Sequence, residues 1–289
     1  MKFGVFNVVV PDRDAAQTVA LLARLGYHGI EWRLRLPRPD AAGQAPSFWG
    51  NFVDPIGPRD LARRAPGLRR LCSEAGIESF AVAGYLQVDE RDELDAACEG
   101  CAALGARALR MWSPQYEPKN PPDFNAVFRK ALDDLPRAAE LAARHGVRLL
   151  FETHMGTITP SVSSCMRLIA GLAPEQVGVI FDPGNMAREG REHWRMGLQM
   201  LGDYLAHVHY KNFRAEVKER RADGTAVWDY PACPPAEGLV DWRAVLADLR
   251  AVGFDGYVSN EDFEPGVDPE QKLRRDLEYL RCLAAEVGA

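Results

Sequence analysis

The sequence predicts an α/β fold, a single-domain (β/α)8 TIM barrel spanning residues 1–289, and three observations carry the prediction. Eight short apolar runs alternate with eight longer amphipathic stretches through 289 residues. That is the unit count and size of such a barrel, typically about 250 residues. A helix, Gly, strand junction recurs at Gly26, Gly76, Gly105, Gly146 and Gly253, the left-handed helix end that glycine adopts without strain. The first apolar run is not followed by Gly-x-Gly-x-x-Gly, and no Gly-x-x-x-x-Gly-Lys occurs. The competing doubly wound open sheet therefore lacks its phosphate-binding signature.

Strands are expected at 3–7, 29–33, 77–83, 108–112, 147–152, 177–182, 205–211 and 256–261. They are short and mostly apolar rather than alternating, as parallel strands covered by helices must be. Helices are expected at 14–25, 59–75, 89–104, 123–145, 163–171, 192–202, 241–252 and 269–287. Three connections, 34–58, 113–122 and 212–240, are too long for plain turns. Each leaves a strand and enters a helix, so each is expected at the C-terminal mouth, where barrels place their chemistry. The charged run Lys211, Arg214, Lys218, Arg220 and Arg221, diluted by Glu216 and Glu219, reads as a solvated lid helix.

Composition narrows the partners. The chain is 47% hydrophobic and 26% charged, with a net charge of −6. A mildly acidic chain without a long basic run reads against nonspecific nucleic-acid binding. No apolar stretch approaches the roughly 20 residues of a membrane span, and the apolar N-terminus reads as a buried first strand. Six scattered cysteines in a chain this long point to a reducing, cytoplasmic setting. Cys98 and Cys101 fall within a helical pattern and have no second pair at zinc-site spacing.

The ends of the last four predicted strands are chemically unusual. They read Phe151-Glu152-Thr153-His154, Phe181-Asp182-Pro183-Gly184-Asn185, His207-Val208-His209-Tyr210-Lys211 and Asn260-Glu261. Each sets an ionisable group directly after an apolar run, where a charge is costly without a partner. In a barrel, Glu152, Asp182, His209 and Glu261 converge on one mouth. Three carboxylates so close repel strongly, and a divalent cation resolves that repulsion. Three carboxylates and one imidazole suit Mn2+ foremost, or Mg2+, Co2+, Zn2+ or Fe2+, and the lack of thiolates reads against a closed structural zinc site.

These motifs, with the segment from Glu237-Gly238-Leu239-Val240-Asp241-Trp242 to Asn260-Glu261, resemble the sugar phosphate isomerase/epimerase family of xylose isomerase-like barrels. The resemblance runs from the first strand to the final helix. It implies one metal held by Glu152, Asp182, His209 and Glu261, with the second histidine of His-x-His as ligand and His207 turned to the opposite face. It also implies an isomerase or epimerase of carbohydrate metabolism acting on a ketose or keto-sugar. Such an enzyme abstracts a proton alpha to a metal-bound carbonyl and passes through an enediolate, with Glu152 and Glu261 exchanging the proton. A lyase, dehydratase or keto-glycoside-cleaving enzyme starts from the same step. The ketose 3-epimerases of this family carry His where Asn185 stands and Arg where Ala215 stands. A homodimer is a further implication. The many-histidine trinuclear site of endonuclease IV, from the same superfamily, has no counterpart among only six histidines.

Substrate contacts are expected from His154, which leans to the same side as Glu152, from Asn185 as a hydroxyl partner, and from Lys211 at the enediolate oxygen. Glu31 is expected at a hydroxyl or behind the metal, Trp112 and Trp32 against a sugar face, and Glu237 in the closing loop.

Overall fold

In the computed structural model, residues 1–117 and 119–288 are described. Pro118, in the second long loop, and the C-terminal Ala289 belong to the predicted domain but lie outside the described residues. Eight parallel strands close into one barrel: β1 (Lys2–Phe6), β2 (Gly29–Leu34), β3 (Glu78–Gly84), β4 (Ala108–Met111), β5 (Arg148–Glu152), β6 (Val177–Phe181), β7 (Leu205–Tyr210) and β8 (Tyr257–Asn260). Closure is direct, with Lys2 opposite Tyr257 on one side of β1 and Gly4 opposite Gly29 on the other.

The surrounding helices are α1 (Ala15–Leu25), α2 (Leu61–Ala75), α3 (Arg91–Leu104), α4 (Phe124–Arg144), α5 (Val162–Ile169), α6 (Pro183–Arg188), α7 (Trp194–Leu201), α8 (Trp242–Ala251) and α9 (Pro269–Val287). Acidic caps start many of them: the side chains of Asp14, Asp123, Asp241 and Asp268 accept from backbone N–H groups of the first turn. The five predicted junction glycines all take positive φ. On α4 the buried Phe128, Ala131, Leu135, Ala138 and Ala142 recur every three or four residues, forming the stripe that seals against the barrel.

Three expectations need correction. The charged run after Lys211 is not a lid helix but an antiparallel hairpin, Glu216–Arg220 with Ala226–Asp229, whose first strand is wholly exposed. The turn between them holds Asp223-Gly224, with Gly224 at φ +84°, a hairpin signal that the charge pattern obscured. The sixth strand ends at Phe181 rather than Asp182, and the short helix α6, which was not expected, follows it; Asp182 caps that helix by accepting from Asn185 N at 2.9 Å. Trp32 is buried in the barrel–helix core, its Nε1 donating to Ser79 Oγ at 2.9 Å, and so takes no part in the mouth. Among the described residues no helix is long and apolar enough to cross a membrane.

Candidate metal centre

Strand alternation aims Glu152, His209 and Glu261 at the barrel axis, and Asp182 joins them from the N-cap of α6. One ligand atom from each lies within 4.8 Å of the other three, and all four residues are buried. His209 Nδ1 is 3.1 Å from Glu152 Oε1, 3.3 Å from Glu261 Oε2 and 3.7 Å from Asp182 Oδ2. Its Nε2 faces Glu31 Oε2 at 3.1 Å. Glu31 also accepts from Ser259 Oγ at 3.0 Å. Residues two apart on a strand share a face, so His207 does not turn away as expected. The rings of His207 and His209 lie 5.3 Å apart, and His207 Nε2 is 3.4 Å from Glu31 Oε1. Glu31 thus sits beneath the cluster, fully buried and away from the open cavity.

Positive charge reaches the cluster from two directions. Arg110 Nη1 donates to Glu152 Oε2 at 2.8 Å. The Lys211 ammonium lies 2.5 Å from Asp182 Oδ2, 3.8 Å from Glu152 Oε1 and in contact with Glu261. Gly184 makes room for it: a Cβ there would stand 2.8 Å from Lys211 Cγ. That close approach explains the glycine after Asp182-Pro183. Asn185 Nδ2 bridges Asp182 Oδ2 at 2.7 Å and Glu152 Oε1 at 2.9 Å.

These contacts set the protonation states. Burial drives carboxylates toward the neutral form, but His209 and Arg110 outweigh it at Glu152 and hold that group well below its ordinary range. Burial is likewise overcome at Glu261, by Lys211 and His209, and at Glu31, by His209 and His207. At Asp182 burial prevails despite Lys211, and its pKa is raised. Burial opposes the charged form of His209, yet Glu261, Glu31 and Glu152 lift its pKa well above the ordinary value.

The donor set fits a divalent cation. Three carboxylates and an imidazole nitrogen bring one ligand atom each to within 4.8 Å of one another, a set of donor types that divalent cations take. Among the described residues the buried Asn185 Oδ1 has no hydrogen-bond partner. Lys211 is long, flexible and lines the adjoining cavity, so it can yield these oxygens.

That cavity has a volume of about 290 Å3, near the lower bound for ligand pockets. Of the predicted substrate contacts, Trp112, His154, Asn185 and Lys211 line it, together with the predicted metal ligand Glu261. The rings of Trp112 and His154 meet edge to face at 4.8 Å. Glu237 does not line it; its exposed side chain pairs with Arg214. Sequence reasoning missed Arg110, Tyr85, Trp49, Arg188 and Phe263, which also form the walls. Arg110, in an apolar strand facing a strand-end glutamate, was the one detectable signal. Trp49 and Phe263 meet at 4.9 Å only because two distant loops fold together.

The pattern of the xylose isomerase-like TIM barrel matches residues 19–283. The chain is 27% identical over 179 residues to inosose dehydratase of Geobacillus thermodenitrificans, covering 60% of this chain and 59% of that relative. It thus spans about three fifths of the length of that curated relative. Among solved structures, the 3-keto-D-glucoside 4-epimerase YcjR from E. coli superposes with a TM-score of 0.72 at 18% identity, over 98% of this chain and 99% of that one. The IOLI protein, whose structure holds a bound zinc atom, gives 0.72 at 18% identity over 99% of each chain. At that identity these two likenesses speak for the fold. With the match extending over nearly the whole sequence, the chain belongs to the xylose isomerase-like TIM-barrel family.

Proposed function

We propose that the protein is a divalent-metal-dependent enzyme that removes a proton alpha to the carbonyl of a ketose or keto-sugar, and that it completes an epimerisation or isomerisation. The observation that carries this reading is the juxtaposition, at one cavity wall, of an ionised carboxylate, Glu261, and an ammonium, Lys211. Glu152, Asp182, His209 and Glu261 would hold the metal, with Mn2+ the first choice. When bound, it polarises a carbonyl and makes the neighbouring C–H acidic.

The chain's own residues supply the rest. Glu261 reaches the cavity and, held ionised, can accept the proton on its carboxylate. Glu152 belongs to the same buried group, next to the cavity-lining Asn185, and is the candidate to return a proton there. Arg110 and His209 keep it ionised, so it must first gain the proton it returns. Lys211, fully protonated, offers a proton or a charge to a substrate oxygen at Nζ. His154 and Asn185 border the cavity and can orient hydroxyl groups, while Trp49, Tyr85, Trp112 and Phe263 exclude water.

A dehydratase is the second reading, favoured by the similarity to inosose dehydratase. In it Glu261 takes the alpha proton and Lys211 protonates the departing beta hydroxyl, so that water and an unsaturated ketone result. Metal analysis of the purified protein, then incubation of Mn2+-loaded enzyme with a keto-sugar panel in D2O, tests both. Deuterium at a carbon of an isomeric product supports epimerisation or isomerisation, and loss of water identifies the dehydratase. No exchange and no elimination across the panel overturns the reading.

A further inference from the structure

We propose that Arg188 anchors an anionic substituent of the substrate, a carboxylate or a phosphate monoester, in the cavity beside the metal centre. The inference rests on the function proposed above and narrows its substrate class.

Three cationic side chains line the cavity. Two are engaged, Arg110 with Glu152 and Lys211 with Asp182 and Glu261. Arg188 has no ion-pair partner among the described residues. Its Nη1 finds only the Met155 sulfur, at 4.0 Å, and its buried Nε has no hydrogen-bond partner. The guanidinium lies over the ring of Phe213, 4.7 Å from its centroid, and 5.6 Å from that of Tyr230. Two aromatic rings therefore hold the guanidinium while taking none of its N–H donors in an ion pair. Burial disfavours the charge, and a partly desolvated guanidinium with free donors favours a planar or tetrahedral oxyanion.

Position supports the same assignment. Arg188 ends α6, the helix that Asp182 caps and that presents Asn185 to the cavity. Phe213, under its guanidinium, lies two residues beyond Lys211. A substrate whose reacting carbons meet Glu261 and Lys211 can thus extend its far end to Arg188 within one cavity. A stabilising cation at the C-terminus of α6 would need no cavity-facing donors, and it makes a different prediction.

The test is equilibrium binding of D-glucuronate, D-glucose 6-phosphate and D-glucose by calorimetry, to the Mn2+-loaded and the metal-stripped protein. At least one anion is expected to bind ten or more times tighter than glucose in both forms. Glucuronate alone would assign a carboxylate, and glucose 6-phosphate alone a phosphate. Arg188→Gln is expected to bring the ratio within twofold, and Arg188→Lys to retain part of it. No anion preference in the parent protein overturns the proposal, as does a preference that survives in Arg188→Gln. A fall in thermal stability with an intact binding ratio also overturns it, since that marks a structural role. The D2O exchange experiment is read separately, so failure of the proton-abstraction reading leaves these ratios interpretable.

Discussion

The Nζ of Lys211 lies 2.5 Å from Oδ2 of Asp182, within the same group of carboxylates that faces His209. A divalent cation held by this group would therefore compete with the protein's own ammonium for the same oxygens. In Lys211→Met the metal-free protein should lose about 3–5 kcal/mol, the cost of stranding buried charges. Added Mn2+ should stabilise this variant more than the parent in urea unfolding. Equal stabilisation of both would show that ammonium and metal do not share those oxygens.

Glu31 fixes the histidine of this group. Held ionised, it can only accept, so His209 Nε2 carries a proton toward it and Nδ1 presents its lone pair to the centre once a metal is bound. Replacing such a partner lowers metal affinity about 10–100-fold. Glu31→Gln should show that loss in chelator competition, with secondary structure unchanged. Unaltered affinity would reduce Glu31 to packing.

Arg110 and Glu152 form a buried ion pair at 2.8 Å, with the guanidinium also reaching Gly84 O at 3.3 Å. Arg110→Met leaves a carboxylate stranded and should cost about 3–5 kcal/mol. Arg110→Met/Glu152→Gln should recover part of the loss. An additive double variant in denaturant titrations would argue that the pair is not coupled.

Asp276 gives a pH signature remote from the cavity. Burial first, then the neighbouring Asp262, pushes its carboxyl up to about 7, against the hydrogen bond from Asn260 and the charge of Arg275. Between its ordinary value of 3.8 and about 7, the folded state binds more protons than the unfolded one. Stability from this group is therefore complete below the lower value and declines as pH rises through about 7. The urea midpoint of Asp276→Asn relative to the parent should rise between about pH 5 and about pH 8. A difference independent of pH would contradict the raised value.

Much of this organisation was legible in the order of residues. Apolar runs of strand length, amphipathic stretches and glycine helix ends pointed to a closed eight-unit barrel, and the strand boundaries fell within a residue or two. Ionisable groups at strand ends identified the four residues that converge. His207 was misassigned by a parity error, since residues 207 and 209 share a face. The hairpin after Lys211 was obscured because exposed strands carry the same charged residues as exposed helices.

The chain's periodicity determined the barrel and its chemistry-bearing end, because parallel strands must bury both faces and must finish at one rim. Only the closed tertiary structure decided the partners of each charge. It brought Lys211 between Asp182 and Glu261, laid Arg110 against Glu152 and set Glu31 under His209. Among the described residues it also left Arg188 without an ion-pair partner. Charge pairing depends on distances across the barrel, between residues as far apart in the chain as 31 and 209, and local spacing carries no record of them.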